Sequence, residues 1–234
     1  MNVTIIYGTT KKTSTYNSVQ LLLNSLKLNI NIKVTEFLLP KDLPSFNREC
    51  FSCIINGEEK RTRFNYVDSI VKSLDDADLI ILASPAFICD ISTDMESFLE
   101  HISYRYMQKK TNYSTNNKIG LVMSTVTGAG LFHTTRTLKR NLNLWGINNT
   151  FKFSEVLYEI DWEDVTLKSK LQINKKVFKL SNKILDLYST SHPIKLPILN
   201  KVTSSQKSTI FKEYHCNIID FNYRKNQSCV HIKS

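Results

Sequence analysis

Seven consecutive residues near the amino terminus, Thr9-Thr10-Lys11-Lys12-Thr13-Ser14-Thr15, carry five hydroxyls, two ammonium groups and no hydrophobic side chain. They follow the apolar run Val3–Tyr7 and a single glycine, Gly8, and lead through Tyr16 into a helical pattern. Hydroxyls, ammonium groups and the free N–H groups of a helix start are all suited to an anion, and a terminal phosphate has three oxygens to satisfy. Ser14 or Thr15 also fits a plain helix N-cap in a solvated loop. The stretch lacks the terminal G-K-S/T of a P-loop. With Gly8 alone it lacks the glycine pattern of dinucleotide binding as well.

Two further segments carry ligand-like chemistry. In SPAFICDIS, residues 84–92, Pro85 stops strand pairing, and Phe87 and Ile88 stand where a flat aromatic ligand could lie. A turn with two buried apolar residues reads equally well. In STVTGAG, residues 124–130, Gly128 and Gly130 permit close approach of backbone to a ligand, or simply a tight turn. Cys50-Phe51-Ser52-Cys53 is a C-x-x-C spacing that serves a metal, a redox disulfide or nothing. His101 and His133 fall within helical patterns, and no acid–base role is assigned to either.

The elements that must position these segments follow from hydrophobic period. Strands are expected at Val3–Tyr7, at the alternation Ile30/Ile32/Val34, at Ala77–Ser84, at Ile119–Ser124 and from Thr150 to Phe153. Helices are expected around Val19–Leu26, Phe64–Leu74, Met95–Ile102, Leu131–Leu142 and Leu167–Tyr188, with Thr93 and Glu96 spaced as a capping box. Five strands alternating with five helices predict an α/β fold, a doubly wound parallel sheet covered on both faces. All three ligand-like segments then fall beyond the carboxyl ends of strands, where such sheets bind ligands. The rhythm predicts one domain over residues 1–189 and a C-terminal extension, 190–234, that packs on the domain or on a partner subunit.

The 234 residues are 41% hydrophobic, enough for one sizeable core. No apolar run reaches the ~18 residues of a membrane span, and the first apolar stretch is too short for a signal peptide. A soluble, cytoplasmic protein is expected. The net charge of +10 is read as a lysine-rich solubilising surface. No basic block interleaved with aromatics appears, so no nucleic-acid partner is expected. Five cysteines do not suggest a disulfide framework.

In order and spacing these segments resemble the NAD(P)H-dependent FMN reductase and iron–sulfur flavoprotein group of flavodoxin-like proteins. The resemblance lies in Gly8–Tyr16, in Ala77-Asp78-Leu79-Ile80-Ile81-Leu82-Ala83-Ser84-Pro85-Ala86-Phe87, in Met95–His101, in Thr125–Gly130 and in Trp145-Gly146. It covers roughly residues 1–190. It implies a flavodoxin-like fold and FMN at the switch point of the sheet. By position, Thr9, Lys11, Ser14, Thr15 and Tyr16 would hold the phosphate and ribityl chain. Pro85, Ala86, Phe87 and Ile88 would line the isoalloxazine, and Thr125, Thr127 and Gly128 would close its other side. The implied activity is hydride transfer from NAD(P)H to FMN and onward to a small-molecule or protein acceptor, in a homodimer. The other reading is a flavodoxin-like electron carrier with no pyridine-nucleotide activity.

One departure is clear. The iron–sulfur members carry four cysteines between the second strand and second helix. Here Arg61 and Asn47 stand where two of them are expected, beside Cys50 and Cys53. Two thiolates do not hold a four-cysteine cluster, so an iron–sulfur cluster is not expected.

Overall fold

Every residue from Val3 to Tyr7 is buried, because the first strand, β1 (Asn2–Tyr7), is an interior strand of a sheet covered on both faces. The computed structural model describes residues 1–43, 64–86, 90–107, 117–157, 159 and 162–190. Their elements run β1, α1 (Ser14–Lys27), β2 (Lys33–Leu38), α2 (Phe64–Asp76), β3 (Leu79–Ala83), α3 (Thr93–Met107), β4 (Ile119–Val126), α4 (Leu131–Leu144), β5 (Asn149–Val156) and α5 (Leu167–Thr190). All but Phe64 fall within one unit of the chain. Phe87, Ile88, all five cysteines, Asn47, Arg61 and residues 191–234 of the expected extension lie outside the described residues.

All strand pairs are parallel, in the order β2-β1-β3-β4-β5. This is the flavodoxin-like order, with its switch point between β1 and β3. Side chains alternate across the sheet. Val3, Ile5, Ile81 and Leu121 point to the face covered by α1 and α5, where they meet Leu22, Leu26 and Val177. Ile6, Ile80, Leu82 and Val122 point to the face covered by α2, α3 and α4, against Ile70, Phe98 and Leu138.

Several boundaries differ from the expected ones, among them these three. Residues 30–34 alternate, but the strand is Lys33–Leu38. The N–H groups of Asn29 and Ile30 turn back to the Leu26 carbonyl, 3.0 and 3.1 Å away, and so close the end of α1. Pairing with β1 begins only at Asn2↔Lys33. At α3 the cap is Ser92 and not Thr93. The Ser92 hydroxyl accepts from the Met95 N–H at 3.3 Å, which leaves Glu96 one turn position too late for a capping box. β4 runs on past the expected end at Ser124 to Val126, so Thr125 and Val126 are strand residues and not loop residues.

The Trp145-Gly146 pair has a structural reason. Gly146 has φ of 87° and follows the last turn of α4. Its N–H reaches the Asn143 carbonyl and the Ile147 N–H reaches that of Leu142, at 2.9 and 3.0 Å. This double bond pattern is a Schellman stop, which requires a left-handed residue at that place. Trp145 is buried against the edge of Phe98.

Candidate flavin site

In a parallel sheet all carboxyl ends lie along one edge, and the three segments meet there by direct bonds. The Gly8 N–H donates to the Ala83 carbonyl at 2.8 Å, which ties the first loop to the end of β3. The Ala86 N–H reaches the Thr125 carbonyl at 3.3 Å, which ties the loop after β3 to the end of β4. The Thr15 and Thr125 hydroxyls lie 2.7 Å apart and buried, which ties the first turn of α1 to the same strand end. Thr125 thus joins the loop after β3 to the first turn of α1.

Gly8 is demanded by packing. A Cβ there would lie 2.5 Å from Ser92 Oγ, 3.0 Å from Ser84 Oγ and 3.0 Å from Met95 Cβ. The loop after β3 and the start of α3 therefore close directly onto the end of β1. Ser84 and Ser92 hold that closure together, since the Ser92 N–H donates to Ser84 Oγ at 3.1 Å.

The first turn of α1 is prepared for an anion. Its N-cap is Thr13, with no hydrogen bond from a capping side chain, and no acidic residue stands in the first turn. The hydroxyl oxygens of Thr13 and Ser14 are buried without any hydrogen-bond partner, and so is that of Ser124 at the end of β4. Buried hydroxyls without partners are costly, by roughly 1–3 kcal/mol each. Their placement at an uncapped helix start fits a group rich in acceptor oxygens, as the phosphate and ribityl hydroxyls of FMN are. Ser124 and Thr13 were absent from the expected site residues. Both had a local signal, Thr13 its place in the hydroxyl run and Ser124 its place at the head of STVTGAG, but neither pattern says which hydroxyls are buried without a partner.

The remaining expected residues are placed as follows. Thr9 is half-buried, and its hydroxyl accepts from the Lys11 N–H at 3.1 Å, which folds the loop on itself. Lys11 is exposed. Tyr16 is half-buried, with its ring 5.1 Å from that of Tyr7. Lys12 lies over the Tyr16 ring at 5.4 Å. Pro85 and Ala86 are half-buried, while Thr127 and Gly128 are exposed. Gly128 has nothing within 4 Å of where a Cβ would stand. Its role is open space, in contrast to Gly130, whose φ of 104° caps α4.

Beneath the first loop lies a polar cluster that sequence pattern did not indicate. The carboxylate of Glu36 on β2 accepts from Gln20 on α1 at 2.7 Å and from the Tyr7 hydroxyl at 3.1 Å. Burial, and then the neighbouring Glu36 charge, push the Tyr7 hydroxyl far above the ordinary tyrosine range. It stays a neutral donor and supports the Tyr16 ring. At the opposite edge of the sheet Lys118 donates to the Asp75 and Ala77 carbonyls at the end of α2. Burial lowers its pKa, against the pull of Asp75, Asp78 and Asp76.

Residues 1–156 match the family described as NADPH-dependent FMN reductase. The chain belongs to that family. It is a flavin-dependent NAD(P)H oxidoreductase, with FMN as cofactor and NAD(P)H as co-substrate. No match was found among curated proteins. Among solved structures, azoreductase from Bacillus anthracis str. Sterne is 11% identical with a TM-score of 0.58, over 78% of this chain and 99% of that one. An FMN-dependent NADH-azoreductase from Bacillus anthracis str. Ames Ancestor, in complex with FMN, is 13% identical with a TM-score of 0.53, over 77% and 100%. The apo form of an NADH:FMN oxidoreductase is 13% identical with a TM-score of 0.52, over 78% and 89%. At such identities these likenesses speak for the fold alone. Among the described residues no group of three or more His, Cys, Asp or Glu side chains could hold a metal ion. Nor is any helix there long and apolar enough to cross a membrane.

Proposed function

We propose that this FMN reductase takes hydride from NAD(P)H and delivers the electrons to a separate acceptor, of the quinone, free-flavin or protein-carrier kind. The observation that carries the proposal is the meeting of an uncapped α1 start, with its orphaned Thr13 and Ser14 hydroxyls, and the end of β4 at Thr125. Bound FMN supplies the redox chemistry. The chain supplies the hold and the exclusion of water. Thr9, Lys11, Ser14, Thr15 and Tyr16 would hold the phosphate and ribityl chain. Thr13 and Ser124 join them by virtue of their unpartnered hydroxyls. Pro85, Ala86, Phe87 and Ile88 would line one side of the ring system, and Thr125, Thr127 and Gly128 the other. Because the Thr15 and Thr125 hydroxyls bond each other, the donor of the pair offers only its lone pairs, while the acceptor keeps its own O–H to donate. The same proposal has the protein act as a cytoplasmic homodimer, on the strength of the family resemblance.

The test is an absorbance spectrum of the purified protein before and after anaerobic NADH or NADPH. Bleaching of a bound flavin by either nucleotide is expected. Bleaching by dithionite but by neither nucleotide would replace this reading with an electron carrier.

A further inference from the structure

Helix α5 buries Ile173, Val177 and Ile184 against the sheet and α1, yet it exposes large apolar side chains as well: Leu167 at 79%, Leu171 at 61% and Phe178 at 53%. At 3.6 residues per turn, these three and the half-buried Leu185 fall within about 40° of one another. They form a stripe along one flank of the helix. Lys168, Lys175, Lys179 and Lys183, all exposed, occupy the next ~80° of the surface. None of these four has an ion-pair partner among the described residues, whereas Lys176 is paired with Glu155. Across Leu167–Thr190 there are six lysines against one acid, Asp186. An apolar stripe beside a row of unpaired cations is the anatomy of a protein interface with a charged rim.

Charge decides among the occupants. A second copy would bring one lysine row against another. The chain's own residues 191–234 carry seven lysines and arginines against two acids, so they offer the lysine row little opposite charge. A membrane surface would take the lysines but not the stripe, which is narrow and flanked by Asn174 on one side and Asn182 on the other. Amides are costly among acyl chains. An acidic protein satisfies both features. α5 also follows β5 in the chain, and in a parallel sheet the connection leaves from the carboxyl edge, the edge that carries the flavin loops.

We propose that the outer flank of α5 is the docking surface for a small acidic electron-carrier protein. The Leu167–Leu171–Phe178 stripe forms its apolar centre and Lys168, Lys175, Lys179 and Lys183 its charged rim. The proposal rests on the reading that the reduced enzyme hands electrons to a separate acceptor, and it names the class of that acceptor.

The test uses the full-length, FMN-loaded protein and a purified, fluorescently labelled two-iron ferredoxin as the acidic probe. Binding is followed by anisotropy at 50 and 300 mM salt. Saturable binding is expected, weakened about tenfold by the added salt, since exposed charges are screened over that range. Lys168→Glu, Lys175→Glu, Lys179→Glu and Lys183→Glu together should abolish it. Leu171→Ser with Phe178→Ser should weaken it about tenfold without changing its salt dependence. Retained flavin and unchanged circular dichroism show that the variants fold; if the fourfold variant does not, Lys→Gln at the same positions takes its place. No binding at 50 mM salt, or binding indifferent to the lysine changes, overturns the proposal. So does lysine-dependent flotation with anionic vesicles in place of ferredoxin binding. Self-association lost in the Leu171/Phe178 variant overturns it in favour of a second copy. Reduction by NADPH is followed in the same samples. A protein that NADPH reduces but ferredoxin does not bind has lost only the docking proposal. One that binds ferredoxin but is not reduced has lost the enzymatic reading.

Discussion

The hydroxyls of Thr15 and Thr125 lie 2.7 Å apart in a buried position, although 110 residues separate them in the chain. The bond joins the start of the first helix to the end of the fourth strand, across the switch point where ligands of this fold bind. It therefore belongs both to stability and to the shape of the flavin site.

Thr15→Val or Thr125→Val alone should destabilise the apoprotein by about 1–3 kcal/mol, because each leaves the other hydroxyl buried and unpaired. The double variant should cost clearly less than the sum of the two, since no orphan is left. Urea unfolding of the three variants measures this. Additive losses would mean that the two hydroxyls are not coupled.

Ser14 should behave in the opposite way. Its hydroxyl is buried without a partner, so Ser14→Ala should leave the apoprotein as stable as before, or more stable by up to about 1 kcal/mol. The same change should weaken FMN binding about tenfold while leaving riboflavin affinity nearly unchanged, because only FMN brings the phosphate. Apoprotein melting and flavin fluorescence titrations provide the two readouts. Lys11→Ala should narrow the preference for FMN over riboflavin further when combined with Ser14→Ala. Equal affinity of the wild type for both flavins would remove the phosphate assignment.

The parts of this architecture that depend on neighbours in sequence were legible in it. The 2.0 and 3.6 periods place five strands and five helices, because half-buried elements need them. The hydroxyl run at Thr9–Thr15 is visible for the same local reason. The parts made by distant partners were not legible. Nothing near Ile30 says that its N–H turns back to Leu26, so the second strand was expected three residues early. Ser92 and not Thr93 caps α3 because its hydroxyl also sits against Ser84. The Glu36–Gln20–Tyr7 cluster joins two strands and a helix, and no window of sequence contains all three.

Gly8→Ala should be among the most damaging single-atom additions to the site. The new methyl would lie 2.5 Å from Ser92 Oγ and 3.0 Å from Ser84 Oγ and Met95 Cβ, and both hydroxyls are held in place by the Ser92 and Met95 N–H groups. Relief by shifting α3 away from β1 should cost about 1–3 kcal/mol and loosen the loop after β3. The expected outcome is a lowered unfolding midpoint in urea together with weaker retention of flavin on gel filtration. Gly128→Ala, with nothing within 4 Å, serves as the tolerated control.

The last expectation concerns alkaline pH. Tyr7 is raised from its ordinary value of 10.0 by burial first and by Glu36 second. In the unfolded chain its hydroxyl ionises near that ordinary value, while in the folded chain it stays protonated. Above about pH 10 the folded state therefore binds more protons than the unfolded one, and stability falls as pH rises. The stabilisation is fully present below pH 10 and is lost above it, at up to about 1.4 kcal/mol per pH unit for this one group. Lys118 acts in the opposite direction, because its folded pKa is lowered: its cost to stability shrinks as pH rises towards the ordinary lysine value of 10.5. The two are separated by Tyr7→Phe, which removes the titrating hydroxyl and keeps the ring beneath Tyr16. Urea unfolding of wild type and Tyr7→Phe at intervals from pH 8 to pH 11 should show a constant difference up to about pH 10. Beyond that point the wild type should lose stability faster than the variant. Parallel curves across the whole range would show that Tyr7 ionises alike in both states.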